Sequence, residues 1–99
     1  PMGPVIATGL DPTNLEVVVR LNDDEKIRFN TGKMIWAVAD FIEKITMYHT
    51  LQPGDVISTG TPPGVGMGQK PQVFLKGGEV MRLGIEKLGE QRQKVLPAA

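Results

Sequence analysis

The 99-residue sequence contains no cysteine, and that absence removes three classes of chemistry at once. It excludes a disulfide framework, a thiolate zinc site and a cysteine nucleophile. Histidine is nearly as scarce: His49 stands alone, so a multi-histidine metal cage is excluded as well. Aromatic residues make up only 5% of the chain, too few for a basic patch interleaved with stacking rings. Eleven basic residues balance eleven acidic ones, so no net field draws the chain to nucleic acid or an anionic membrane. No apolar run approaches the roughly 20 residues that a membrane-spanning helix needs, and the N-terminus lacks the basic-then-apolar order of a signal peptide. The expected setting is a reducing cytoplasm, with neither nucleic acid nor membrane as partner.

What is present suits one small domain with one core. The opening, Pro1-Met2-Gly3-Pro4, reads like the interior of a longer chain, because the methionine is second and no element has begun. A fragment is therefore expected, with residues 1–99 forming a single domain from the C-terminal portion of something larger.

Val5-Ile6-Ala7-Thr8 is compatible with a short strand closed by Gly9 and the turn-prone Asp11-Pro12-Thr13-Asn14. Leu15, Val17, Val19 and Leu21 alternate with Glu16, Arg20 and Asn22, Val18 being the exception, which predicts a half-buried strand. Asn22 to Glu25 is a turn, and Lys26-Ile27-Arg28-Phe29 alternates again, so the pair predicts a β-hairpin. Met34, Ile35, Val38, Phe41, Ile42, Ile45 and Tyr48 then recur at helical spacing. They predict one amphipathic helix over about residues 31–49, capped by Asn30 or Thr31 and ended by Pro53. With Phe41 in the middle of this stripe, burial of its ring is expected. Asp55-Val56-Ile57-Ser58 predicts a buried strand. Two turns echo each other, Gln52-Pro53-Gly54-Asp55-Val56 and Lys76-Gly77-Gly78-Glu79-Val80, each leading an acid and a valine into a strand. Met81, Leu83 and Ile85 face inward on the strand after the second turn, and Gln91 to Val95 comes next as a last one. The class is α+β, mostly β.

The stretch richest in chemical suggestion is Thr59-Gly60-Thr61-Pro62-Pro63-Gly64-Val65-Gly66. Its glycines and prolines suit neither a helix nor a ladder strand. They suit a loop that brings bare N–H groups and threonine hydroxyls to an oxygen-rich ligand; a plain surface turn has the same composition. The dinucleotide fingerprint fails here, because Gly64-Val65-Gly66-Met67-Gly68-Gln69 lacks the sixth-position glycine. A phosphate loop fails too, since Gln69-Lys70-Pro71 replaces Gly-Lys-Ser/Thr. His49 reads as a surface or helix-capping residue. Trp36 and Tyr48 read as packing residues, and Asp23-Asp24 as a solvated turn. Neither a Ser/His/Asp set nor a metal cluster stands out.

In its order of segments the chain resembles the C-terminal part of the fumarylacetoacetate hydrolase family. The resemblance rests on Pro1 to Pro4, Asn30-Thr31, Met34-Ile35, Leu51 to Ile57, Thr59 to Gly66, Lys70-Pro71 and Phe74-Leu75. The ending, Met81 to Ile85 with Leu88 to Gln93, is similar to the branch that hydrolyses 2,4-diketo-3-deoxy sugar acids. Gly77-Gly78-Glu79 departs from the family's usual Pro-Gly-Asp, which bears only on that turn. The resemblance implies a fragment of a mixed β-sandwich roll and an enzyme, as the full-length parent, that cleaves a C–C bond in 2,4-diketo acids. It implies a divalent cation, Mg²⁺ or alternatively Mn²⁺ or Ca²⁺, held by three carboxylates that precede Pro1 together with a catalytic His/Glu pair and a lysine. On this reading the present chain holds no catalytic and no metal-ligating residue. It supplies substrate-binding Thr61, through hydroxyl and backbone N–H, with Gly60, Gly64, Val65 and Gly66 as the pocket wall. Whatever effect Thr59, one step back along the strand, has is expected mainly in stability. The implied partners are the diketo acid, the missing N-terminal portion of the same protein and a second copy in a homodimer. The alternatives are a decarboxylase or isomerase of 2-oxo-diene dioates in the same family, or a non-enzymatic ligand-binding or assembly module.

Overall fold

A computed structural model describes residues 1–98. The alternating segment after Asn14 forms strand β1 (Glu16–Leu21), and Asn22-Asp23 turns it back into β2 (Asp24–Asn30). Both turn residues have positive φ, 50° and 69°, which Asn and Asp tolerate better than other side chains. The expected four-residue turn is thus a tighter two-residue one. Later in the chain, β3 (Val80–Ile85) and β4 (Gly89–Lys94) form a second antiparallel hairpin. β1 joins the two hairpins by pairing with β3, giving a four-stranded sheet of order β2-β1-β3-β4.

The register separates two faces. Val17 lies between Phe29 and Ile85, and Val19 between Ile27 and Leu83, so the alternation predicted from sequence becomes one continuous apolar face. The other face carries Val18 between Arg28 and Gly84, and Arg20 between Glu25 and Arg82. That face is ionic. Glu25 takes a bidentate pair from Arg28 at 2.6 and 2.8 Å, while Arg28 also pairs with Glu16 and Arg82 with Asp23.

Leu15 immediately precedes β1 and, at 3% exposure, is the one buried residue among those described. Thr31 locks it in place: its N–H donates to the Leu15 carbonyl at 2.9 Å, and its hydroxyl accepts from the Leu15 N–H at 2.8 Å. This commitment corrects the helix. Residues Thr31–Lys33 form a 3-10 turn whose Asn30 cap accepts from the Gly32 N–H, and the α-helix α1 runs only over Val38–Thr46. Ala37 starts α1 and has no side-chain acceptor; instead Asp40, three residues on, accepts from the Ala37 N–H at 2.8 Å. Asn30 and Thr31 therefore cap and anchor the preceding turn.

Three further expectations change. The helical stripe is split: Met34, Val38, Phe41 and Ile45 are half-buried, while Ile35 (94%), Tyr48 and Ile42 (45%) face solvent. Phe41 is thus not fully buried. Trp36 is half-exposed with Lys44 Nζ 5.9 Å from its ring centroid, so neither it nor Tyr48 is a core residue here. Residues 55–58 and 5–8 join no ladder, and Val56 is 70% exposed, because both sheet edges end at β2 and β4 with no strand laid beside them. His49 is exposed just past the helix end, with its N–H donating to Ile45 O at 2.9 Å.

The two echoing turns share one device. Asp55 N–H donates to Gln52 O while its carboxylate accepts from Gln52 N–H at 2.8 Å. Glu79 and Lys76 repeat the exchange, with Gly54 and Gly78 at φ 99° and 94° in the matching position.

Candidate functional site

The loop after Ser58 touches edge strand β2 and is held at two of its glycines. Gly64 has φ 119°, and a Cβ there would fall 2.8 Å from Ile27 Cγ1 and 2.9 Å from the Lys26 carbonyl. Only a bare backbone can approach β2 so closely. Gly66 packs against the carbonyl of Val73, where no Cβ has room, and Val73 N–H donates to Gly66 O at 3.0 Å. Val65 N-caps a 3-10 turn at Gly66–Gly68, and its side chain is 40% exposed. Gly60 differs: it has φ 100° and nothing within 4 Å of a built Cβ, so conformation and not space requires it.

Thr61 is exposed between these glycines. The loop's side-chain hydrogen bonds come from Gln69 to Gly64 O at 3.5 Å and from Gln72 to Met67 O at 3.1 Å, and the Thr61 hydroxyl takes part in neither. Gly60, Thr61, Gly64, Val65 and Gly66 thus stand together on one braced loop. Thr59 is exposed as well. Ile27, Gln69 and Val73 support the loop, and sequence reading missed all three. The available signal was the pair of glycines at 64 and 66, which demanded close neighbours without naming them.

A separate hollow among the described residues lies elsewhere. It is a broad concavity of about 660 Å³ on the ionic face, floored by Val18 and Gly84 and rimmed by Glu16, Arg20, Arg28 and Glu90. Arg28, Glu16 and Arg20 among its charges are paired: Arg28 with Glu16 and Glu25, and Arg20 with Glu25. Hydrogen bonds from Arg28 hold Glu25 below the usual carboxylate range, and Glu25 and then Glu16 raise Arg28 further still. Such pairs are fixed in their charged forms, and a proton donor or acceptor needs the opposite. Among the described residues, no three of His, Cys, Asp and Glu gather as a metal site. Nor is any described helix long and apolar enough to cross a membrane.

The described fold is mostly β, with one short helix and a glycine-braced loop that carries an exposed threonine hydroxyl. The chain belongs to the fumarylacetoacetate hydrolase family: residues 1–96 match the family described as fumarylacetoacetate (FAA) hydrolase C-terminal. It is 50% identical over 99 residues to 2,4-didehydro-3-deoxy-L-rhamnonate hydrolase of Sphingomonas sp. (strain SKA58), covering 96% of this chain and 35% of that protein. The fold superposes on fumarylacetoacetate hydrolase from the psychrophile Exiguobacterium antarcticum with TM-score 0.94 and 38% identity, covering 99% of this chain and 36% of that one. Maleylpyruvate hydrolase from Sphingobium sp. SYK-6, solved with manganese(II) and pyruvate, superposes with TM-score 0.87 at 33% identity, covering 98% and 35%. Isomerases also occur among the similar structures. The chain spans about a third of the length of the curated relatives it matches.

Proposed function

We propose that this chain is the C-terminal part of a hydrolase that cleaves a C–C bond in 2,4-diketo acids, and that it supplies the substrate loop around Thr61. The observation behind this reading is the exposed Thr61 hydroxyl on a loop braced by Gly64 and Gly66, in a chain half identical to a hydrolase of a 2,4-diketo-3-deoxy sugar acid. In the proposed reaction water adds its hydroxyl to the C4 carbonyl, the C3–C4 bond breaks, and C3 takes a proton. The products are an acid and pyruvate. A divalent cation bound by carboxylates in the rest of the protein would stabilise the enolate character at C3; Mg²⁺ is the first candidate, and Mn²⁺ or Ca²⁺ the others. This chain's share is to bind and orient: the Thr61 hydroxyl and N–H donate to substrate oxygens, and Gly60, Gly64, Val65 and Gly66 shape the wall. The exposed apolar residues Ile35, Ile42 and Val56 fit a surface that the N-terminal portion covers, within a cytoplasmic homodimer.

The test is pyruvate release by the full-length polypeptide from 2,4-diketo-3-deoxy sugar acids with Mg²⁺, Mn²⁺ or Ca²⁺ present. Pyruvate formed stoichiometrically with the second acid supports hydrolysis. An isomerised or decarboxylated product without pyruvate would move the protein to the decarboxylase or isomerase reading, which the similar isomerase structures favour. Binding without any turnover would point to a non-enzymatic module.

A further inference from the structure

The Thr61 loop has two joints and a stiff piece between them. Gly60 and Gly64 both sit at positive φ, 100° and 119°, and enclose Thr61-Pro62-Pro63. The prolines fix their own φ, and Pro62 and Pro63 each restrict the residue before, so this piece moves as a rod. One joint is free, since nothing lies within 4 Å of a Cβ at Gly60. The other is seated on Ile27 and the Lys26 carbonyl.

The seat itself is a local departure from regular sheet. β1 and β2 pair Val19 with Ile27 but Arg20 with Glu25, so Lys26 is an extra residue in β2. A bulge of this kind bends the strand and re-aims the neighbouring side chains. Here it presents the Lys26 carbonyl and the branched Ile27 side chain to the underside of Gly64. Ile27 is half-buried on the apolar face, across from Val19 and far in sequence from the loop it supports.

We propose that Ile27 is a positioning residue: through Gly64 and the proline pair it sets where the Thr61 hydroxyl and N–H meet the substrate. The proposal rests on the substrate-loop reading above. Misplacing a positioned group by about 1 Å can cost up to about a hundredfold in rate, so a half-supported loop should be visible in kinetics.

The experiment is a double-mutant cycle in the full-length polypeptide, with kcat/KM for a 2,4-diketo-3-deoxy sugar acid and melting curves measured on every variant. Ile27→Ala is expected to lower kcat/KM about tenfold at a temperature where it is fully folded, within the range that positioning controls. Ile27→Val keeps a branched γ carbon under Gly64 and should stay within about twofold of the parent. In a Thr61→Ala background, Ile27→Ala should cost less than about twofold, because residues that act through one another are not additive. Should the alanine variant fail to fold, Ile27→Leu, which keeps the apolar volume and shifts the branch, carries the same cycle. Undiminished kcat/KM in the Ile27 variants alongside an impaired Thr61→Ala would overturn the positioning role and leave the loop reading standing. Multiplying losses would do the same, showing that Ile27 acts somewhere other than Thr61. Full activity in Thr61→Ala would overturn both.

Discussion

Gly66 and Val73 are joined so closely that the Val73 carbonyl occupies the space a side chain at Gly66 would need, while Val73 N–H donates to Gly66 O at 3.0 Å. This closure of the loop is made by backbone atoms. Gly66→Ala must push the two segments apart. Overpacking of this kind costs about 1–3 kcal/mol, so the denaturation midpoint should fall. Circular dichroism melts of the variant check this; an unchanged midpoint would mean the two backbones are not in contact.

Asn22 makes a reciprocal pair with Val80. Its N–H donates to Val80 O and its side chain accepts from Val80 N–H, each at 2.9 Å, and its φ of 50° suits asparagine. Asn22→Ala removes one bond and places alanine in a left-handed conformation, for an expected loss of about 1–3 kcal/mol. Asn22→Gly should recover part of it, since glycine relieves the backbone and not the hydrogen bond. Equal losses in urea titrations of the two variants would contradict this division.

Helix α1 begins at Ala37 without a side-chain acceptor, relying on Asp40 alone. Ala37→Ser completes the cap and should stabilise the protein by about 0.5–1 kcal/mol, and Asp40→Ala should cost a similar amount. If both substitutions leave the melting temperature unmoved, the helix start lies elsewhere.

Acid should weaken the sheet's ionic face. Glu25 lies below its ordinary value of 4.5 because Arg28 hydrogen-bonds to the charged form. Its stabilisation is present above the unfolded-state value and is lost as pH falls through the lower folded-state one. Asp11, hydrogen-bonded by Thr13 hydroxyl and N–H, takes the same sign from an ordinary value of 3.8. Both groups are solvent-exposed, so the effect is modest. Glu25→Gln should flatten the acid limb of a stability profile taken from about pH 6 down to about 3; an identical limb would remove Glu25 from it.

Elements whose period is complete within one segment are legible in the sequence. Val17 and Val19 announce an apolar face, Asn22-Asp23 announces a turn, and the two glycine turns announce matching strand starts, one of which forms. Where the deciding partner lies far off, periodicity misleads. It extends the helix back to residue 31, because nothing local reveals that Thr31 spends both N–H and hydroxyl on Leu15. Residues 55–58 have a strand's composition, but a strand also needs a neighbour, and no described strand supplies one. The loop residues Gly60, Thr61, Gly64, Val65 and Gly66 stand out by composition and resemblance. Their supports, Ile27 and Val73, do not, because contacts between distant segments leave no periodic trace.

Steady-state kinetics of Thr61→Ala in the full-length polypeptide tests the substrate-loop role most directly. No ionisable side chain lies between Asp55 and Lys70, so the loop works by hydrogen bonding and not by proton transfer. Losing one hydrogen bond to a charged ligand group costs about 1.5–3 kcal/mol, which is roughly ten- to a hundredfold in kcat/KM. That loss is expected with an unchanged melting temperature, because the exposed hydroxyl makes none of the loop's own hydrogen bonds. Full activity, or activity lost only in step with unfolding, would contradict the role.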